Sequence, residues 1–346
     1  MSNSTHSSAR SDMPSGASPL LTLDHVSTHY VSAGGTRVVR AVEDVSLTVR
    51  AGETLGIVGE SGSGKSTLAM TILRLLPTAA RIATGKILFD NEDLVAKSQE
   101  EMRHIRGQRI GMILQDPMAS LNPLFSIGNQ VGEPLRIHQG ASRKTAWEKA
   151  KSLLKSVRIP SPEDRVSQYP HEMSGGMRQR IVGAIGISCA PKLLIADEPT
   201  TSLDLTIQAQ YLNLLRDLQR EHGLALMFIT HNLGIVAHMC DQLIVMYAGR
   251  IVERGPVRDI FDTPRHPYSE ALLQSIPKMS DGSERLTAID GQPPDMAHPT
   301  PGCAFAPGCP FKIAACAERP PLRPAAGGGL KACVRDDLVS VSRAAS

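Results

Sequence analysis

The run Gly59-Glu60-Ser61-Gly62-Ser63-Gly64-Lys65-Ser66 matches the pattern GxxxxGK[ST] and stands between an apolar run, Thr54 to Val58, and a helical pattern from Thr67 to Leu76. Each residue type there has a chemical use. Glycines let backbone N–H groups curl around phosphates, the N-terminus of the following helix adds positive potential, Lys65 can reach β- and γ-phosphates, and the Ser66 hydroxyl can ligate Mg²⁺. A Gly/Ser-rich loop that only connects strand to helix is the alternative, and the lysine and serine in this context argue against it. The nucleotide contacts expected here are Gly59, Ser61, Gly62, Gly64, Lys65, Ser66 and Thr67.

A second chemical cluster closes the run Leu193-Leu194-Ile195-Ala196-Asp197-Glu198. Strand alternation sends the two carboxylates in different directions, so Asp197 is expected in the Mg²⁺ shell and Glu198 beside an attacking water as general base. Acids after a strand also form solvated loops or helix caps, and Pro199 suits that reading. His231 follows the apolar run Leu224 to Ile229, at the carboxyl edge of a sheet, where open α/β folds bind ligands. Gln115 follows Ile110 to Leu114. Taken singly, His231 is as readily a structural hydrogen-bonder and Gln115 an exposed loop residue.

The elements that must carry these groups show in the apolar pattern. Thr54 to Val58, Leu193 to Ala196 and Leu224 to Ile229 have the composition of strands buried on both faces, and Ile207, Tyr211, Leu214 and Leu218 fall on one helical face between the last two. Strand, helix, strand in that order predicts a parallel sheet. From Leu21 to Val49 alternation predicts half-buried antiparallel strands. Roughly Pro117 to Met173 reads as an inserted helical subdomain, with a patch at Ser142 to Val157 and breaks at Pro123, Pro134, Pro160 and Pro162. Leu243 to Tyr247 and Ile251 to Glu253 flank Ala248-Gly249 as a hairpin.

Composition narrows the classes. With 37 Lys+Arg against 34 Asp+Glu and 3% aromatics, there is no basic stripe or stacking platform for nucleic acid. No apolar stretch approaches the ~20 residues a membrane-spanning helix needs. Residues 1–19 read as a disordered tail without a secretory h-region, so a cytosolic location is expected, in which disulfides are rare. Cys189 and Cys240, each in an apolar setting, read as core residues.

Ser174-Gly175-Gly176-Met177-Arg178-Gln179 resembles the SGGxxQ signature of ABC ATPases. With Gln115, Ser202-Leu203-Asp204 and His231 in order, about Leu21 to Gly255 resembles the ABC nucleotide-binding domain. Met173 stands where leucine is commoner before the signature, a volume-conserving change. The resemblance implies an α/β P-loop ATPase with an antiparallel β subdomain, a helical subdomain at about 117–180 and a domain limit at 262. It implies catalysis by Glu198, His231 and Gln115, Mg²⁺ held by Ser66, Gln115 and Asp197, and adenine stacked on Tyr30, which could instead be an ordinary strand tyrosine. Ser174, Gly175, Gly176 and Gln179 would contact the γ-phosphate of an opposite subunit, with Ser202 and Asp204 near the shared interface.

Two further strings, Gln115 to Pro123 and Arg265-His266-Pro267-Tyr268-Ser269, resemble the oligopeptide/dipeptide branch of bacterial ABC importers, which also holds nickel and glycan carriers. That branch implies two permease subunits, a second ATPase subunit, an extracytoplasmic binding protein, and a place at the cytoplasmic face of the inner membrane. A soluble ABC protein of translation or DNA repair typically has two cassettes or a long coiled coil, and this chain has one cassette without sustained heptads. An exporter ATPase is opposed by the importer-type tail.

The appendage 263–346 is rich in Pro and Gly and holds Cys303, Cys309, Cys316 and Cys333. Four thiolates on one centre would supply stability that such a segment lacks, although their spacing matches neither zinc knuckles nor ferredoxins. The importer branch carries a similar set, which implies a [4Fe–4S] cluster in preference to zinc. Gly308 replaces an arginine often found before the second cysteine, and free thiols are the remaining reading.

Overall fold

The structure, a computed structural model, describes residues 18–201, 203–276, 289, 292–325 and 328–337. Most of the expected N-terminal tail, together with Ser202, lies outside the described residues.

Two sheets form the frame. β1 (Leu21–Val31), β2 (Val38–Val49), β4 (Ala80–Phe89) and β5 (Glu92–Asp93) make an antiparallel sheet in the order β2-β1-β4-β5. The second sheet contains β3 (Thr54–Val58), β6 (Ile110–Ile113), β7 (Leu193–Asp197), β8 (Ala225–Ile229), β9 (Gln242–Tyr247), β10 (Arg250–Pro256), β11 (Arg323–Pro324) and β12 (Leu330–Lys331). Its order is β11-β12-β10-β9-β3-β8-β7-β6, parallel from β9 to β6 and antiparallel beyond.

The expected parallel sheet is therefore present, and β3, β7 and β8 are buried at every position. Their alternate residues enter two cores. Leu55, Ile57, Ile195 and Met227 join the antiparallel sheet in one, while Leu194, Ala196, Leu226 and Phe228 meet the helical layer in the other. In that layer Ile127–Gln139, Arg143–Ser156 and Gly175–Ile187 pack together. Ser142 caps the second of these, accepting from the Thr145 amide at 3.1 Å, so the expected patch holds to within one residue at each end. Pro134 differs from expectation. It lies inside Ile127–Gln139, where the buried Val131 and Leu135 hold the helix together across the ladder bond that proline cannot donate.

The hairpin between β9 and β10 turns through Ala248 at φ 47° and Gly249 at φ 78°, the paired positive values of a type I′ turn. Among the described residues no helix is long and apolar enough to cross a membrane.

Candidate functional site

The phosphate loop leaves β3 and enters the helix Lys65–Ile72. A side chain at Gly59 (φ +152°) would put its Cβ 2.2 Å from the Met246 carbonyl oxygen, and one at Gly64 (φ +99°) would meet the Ala41 carbonyl oxygen at the same distance. Only glycine lets the loop pass there. Lys65 is 5% exposed; its Nζ donates to the carbonyl oxygens of Gly59 and Glu60, both at 2.8 Å, and to Ser63 Oγ at 3.4 Å. Burial pushes its ammonium pKa down, against the pull of the Glu198, Asp197 and Glu60 carboxylates. Ser61 and Gly62, on the same loop, are exposed.

Ser66 Oγ donates to Asp197 Oδ1 at 3.1 Å, so the first half-site and the end of β7 share one pair of hard oxygens. That pair suits Mg²⁺, which favours oxygen donors and retains waters. Burial raises the Asp197 pKa, the Ser66 hydrogen bond opposes the rise, and a nearby cation would remove the penalty.

Glu198 diverges from Asp197 through its backbone and not through strand alternation. It sits just past β7 in the left-handed region (φ 46°), with its amide donating to the Ile229 carbonyl at 2.9 Å. Three groups converge on its Oε2: Gln115 Nε2 donates at 3.3 Å, Thr201 Oγ1 donates at 3.0 Å, and His231 Nδ1 lies at 3.2 Å. Gln115 and His231 are thus brought to one carboxylate from the ends of β6 and β8, the two strands that flank β7, with both side chains exposed. Thr201 was not singled out in the sequence; a threonine three residues after an acid carries no signal of its own.

Tyr30, half-buried at the end of β1, reaches the phosphate-loop helix through its hydroxyl, 3.4 Å from Thr67 Oγ1. A cavity of about 270 Å³ beside the loop is lined by Arg37, Glu60, Ser61, Gly62, Ser63, Tyr247, Asp295 and Met296. The wall formed by 293–296 comes from the appendage, a contribution absent from the sequence reading.

The signature residues stand apart from this cluster. Ser174 is exposed and caps the helix Gly175–Ile187, accepting from the Met177 amide at 3.3 Å, with Gly175 also open to the surface. Gly176 lies against Ile207, and Gln179 is turned into the core at 1% exposure, away from the surface that Ser174 presents. Exposed Asp204 accepts from the Thr206 and Ile207 amides, both at 3.0 Å, and starts the helix Leu205–His222.

The four cysteines of the appendage come together in space. All four thiols line one small cavity with Phe305 and Phe311, and burial raises the pKa of Cys303 and Cys309. Yet among the described residues no group of three or more His, Cys, Asp or Glu side chains is placed to hold a metal ion. A zinc site needs four ligands at about 2.3 Å from one ion, so neighbouring thiols alone do not make one. Among the described residues, then, neither zinc nor an iron–sulfur cluster finds support.

Comparison with known proteins agrees with the geometry. The model of the family described as ABC transporter matches residues 42–201, and that of the oligopeptide/dipeptide transporter C-terminal region matches 252–316. A probable peptide ABC transporter ATP-binding protein of Sinorhizobium fredii is 50% identical, over 92% of this chain and 96% of its own. The oligopeptide transport ATP-binding protein OppD of Salmonella typhimurium is 46% identical over 93% and 95%. Among solved structures, the dimeric ATP-binding cassette MJ0796 bound to ADP and Pi matches with a TM-score of 0.62 and 27% identity, over 69% of this chain and 99% of that one.

Proposed function

The chain belongs to the ABC transporter family, in the group that carries the oligopeptide/dipeptide transporter C-terminal region, and on that premise we propose that it is the ATP-hydrolysing subunit of a peptide importer. The observation that carries this is that two clusters meet the phosphate loop at the carboxyl end of β7. Lys65 and the Ser66–Asp197 pair form one, and Glu198 with Gln115, Thr201 and His231 forms the other.

In this reading the loop amides and Lys65 hold the phosphates, and Tyr30 stacks on adenine. Ser66, Gln115 and Asp197 would hold Mg²⁺, which supplies charge neutralisation at the phosphates when bound. Glu198 takes the proton of the attacking water, while Gln115 and His231 orient that carboxylate and the water. Exposed Ser174 and Gly175 serve the nucleotide of a second ATPase subunit, with Ser202 and Asp204 beside the seam. The chain sits at the cytoplasmic face of the inner membrane, where two transmembrane permease subunits, with an extracytoplasmic binding protein, complete the importer, and a peptide is the cargo.

Co-expression with candidate peptide permeases, followed by reconstitution in vesicles, tests this. Peptide uptake that requires MgATP on the side of this chain is the expected result. Hydrolysis without any peptide-dependent uptake, across a panel of di- to pentapeptides, would refute the import reading.

A further inference from the structure

The phosphate loop is held from outside by two contacts far away in sequence. On one side the β9–β10 turn reaches it, with the Gly249 amide donating to the Ser63 carbonyl at 3.0 Å. On the other, the Glu60 amide donates to the Tyr268 hydroxyl at 3.0 Å, across 208 residues of sequence. The Glu60 amide thus turns to a protein acceptor, whereas the Glu60 carbonyl accepts from Lys65 Nζ at 2.8 Å and from the Ser63 amide at 3.2 Å. One residue therefore links Tyr268 to the ammonium that meets the phosphates.

Tyr268 is itself over-determined. It is fully buried in the helix Pro267–Gln274, and its amide donates to Nδ1 of His266, the capping residue. The buried Glu253 carboxylate accepts from the Arg265 amide at 2.7 Å and the His266 amide at 3.0 Å, which fixes the entry to that helix. The Tyr268 ring packs on Tyr247 with centroids 4.5 Å apart, and on Phe305 at 5.4 Å. Phe305 belongs to the cysteine-bearing appendage, where the Cys303 amide donates to the Cys316 carbonyl at 3.0 Å. Burial keeps the phenol protonated throughout the physiological range, so the hydroxyl is a permanent neutral partner for the amide.

We propose that Tyr268 is a positioning residue for the phosphate loop, through which the C-terminal region sets the affinity of this chain for nucleotide. A polar group buried without a partner is costly, so removing the hydroxyl leaves the Glu60 amide to find another acceptor by shifting the peptide that also cradles Lys65. The inference rests on residues 59–66 being the nucleotide site.

The test is Tyr268→Phe in the full chain, with binding of ADP and of a non-hydrolysable ATP analogue in the presence of Mg²⁺. The substitution keeps the ring and its packing. Both dissociation constants are expected to rise about 2- to 12-fold, the range that one ordinary hydrogen bond supplies. The KM for ATP rises with them, kcat at saturation stays within about twofold of wild type, and the Glu60 amide exchanges hydrogen faster while the β3 amides do not. Unchanged dissociation constants would overturn the proposal whatever happens to the melting temperature, since a purely structural tyrosine would move stability alone. Should Tyr268→Phe fail to fold, Phe305→Leu keeps the hydroxyl and loosens its ring support; weaker binding with faster exchange at Glu60 supports the role, and wild-type binding refutes it. A wild-type chain that binds neither nucleotide would instead sink the function proposed above.

Discussion

Replacing Glu198 by Gln separates chemistry from binding in this site. The carboxylate is only 15% exposed and receives Gln115, Thr201 and His231 on one oxygen, Oε2. A glutamine can keep its carbonyl oxygen in that position and direct its NH₂ toward the place of Oε1, so the cluster stays assembled while the base is lost. General-base catalysis contributes about 10²- to 10⁴-fold, which is roughly 2.7–5.5 kcal/mol in activation free energy. Nucleotide affinity should hold or tighten slightly, because the substitution removes one of the negative charges acting on Lys65. The assay is single-turnover phosphate release beside equilibrium binding of MgATP, in the same preparation. Turnover within a few-fold of wild type would show that another group takes the proton. Parallel loss of binding and turnover would show that Glu198 holds the loop and is not the base.

Lys65→Ala should act on binding instead: losing a charged hydrogen-bond donor worth about 1.5–3 kcal/mol weakens nucleotide affinity by at least tenfold, measured by titration calorimetry. Mixing a Ser174→Arg chain with a Lys65→Ala chain should restore at most one working site per dimer; full activity of either variant alone would remove the head-to-tail arrangement. Stability should fall in acid through His266, whose imidazole is pushed down to about 3 by burial and then by the Lys331 ammonium. An unfolded histidine titrates near 6.5, so between these values the unfolded chain binds the extra proton; this contribution is intact above about pH 6.5 and is lost by up to about 1.4 kcal/mol per pH unit as pH falls. Urea unfolding at pH 7 and pH 5 measures the slope, and His266→Gln should flatten it.

The legible parts of the site were those whose chemistry is local in the chain. The phosphate loop needs glycine, lysine and serine at fixed offsets within one turn, and the Asp197–Glu198 pair ends a strand that its own apolar run announces. The role of left-handed backbone at Glu198 was not legible, because glutamate gives no sign of positive φ. Nor was β4, whose alternation is interrupted where Gly85 (φ +93°) comes within 2.5 Å of the His25 carbonyl oxygen, counted from its absent Cβ, opposite a register shift in β1. Thr201, Gly249, Tyr268 and Met296 reach the site across turns or through more than 180 residues of chain, and no periodicity encodes such meetings. Proline misled in the opposite sense at Pro134, where tertiary packing outweighed a local breaker. The cysteines, whose spacing matched no known centre, nonetheless share one cavity.

The charges around the phosphate loop favour a polyphosphate that arrives with a divalent cation. One ammonium, Lys65, faces three carboxylates, Glu60, Asp197 and Glu198, and burial already raises the pKa of Glu60 and Asp197. A polyphosphate entering alone would add like charge to that excess, in surroundings where charge is poorly screened. Lys65 must also give up at least one of its three bonds, the longest being that to Ser63 Oγ at 3.4 Å, before it can turn to a phosphate. A cation beside Ser66 and Asp197 would offset the first cost, because it neutralises the buried carboxylate. Chelating Mg²⁺ should therefore cost more affinity in this chain than removing any one loop donor, and the loss should shrink in Asp197→Asn, where the carboxylate charge is gone. An equal loss on chelation in wild type and variant would separate Asp197 from the cation and place the penalty elsewhere.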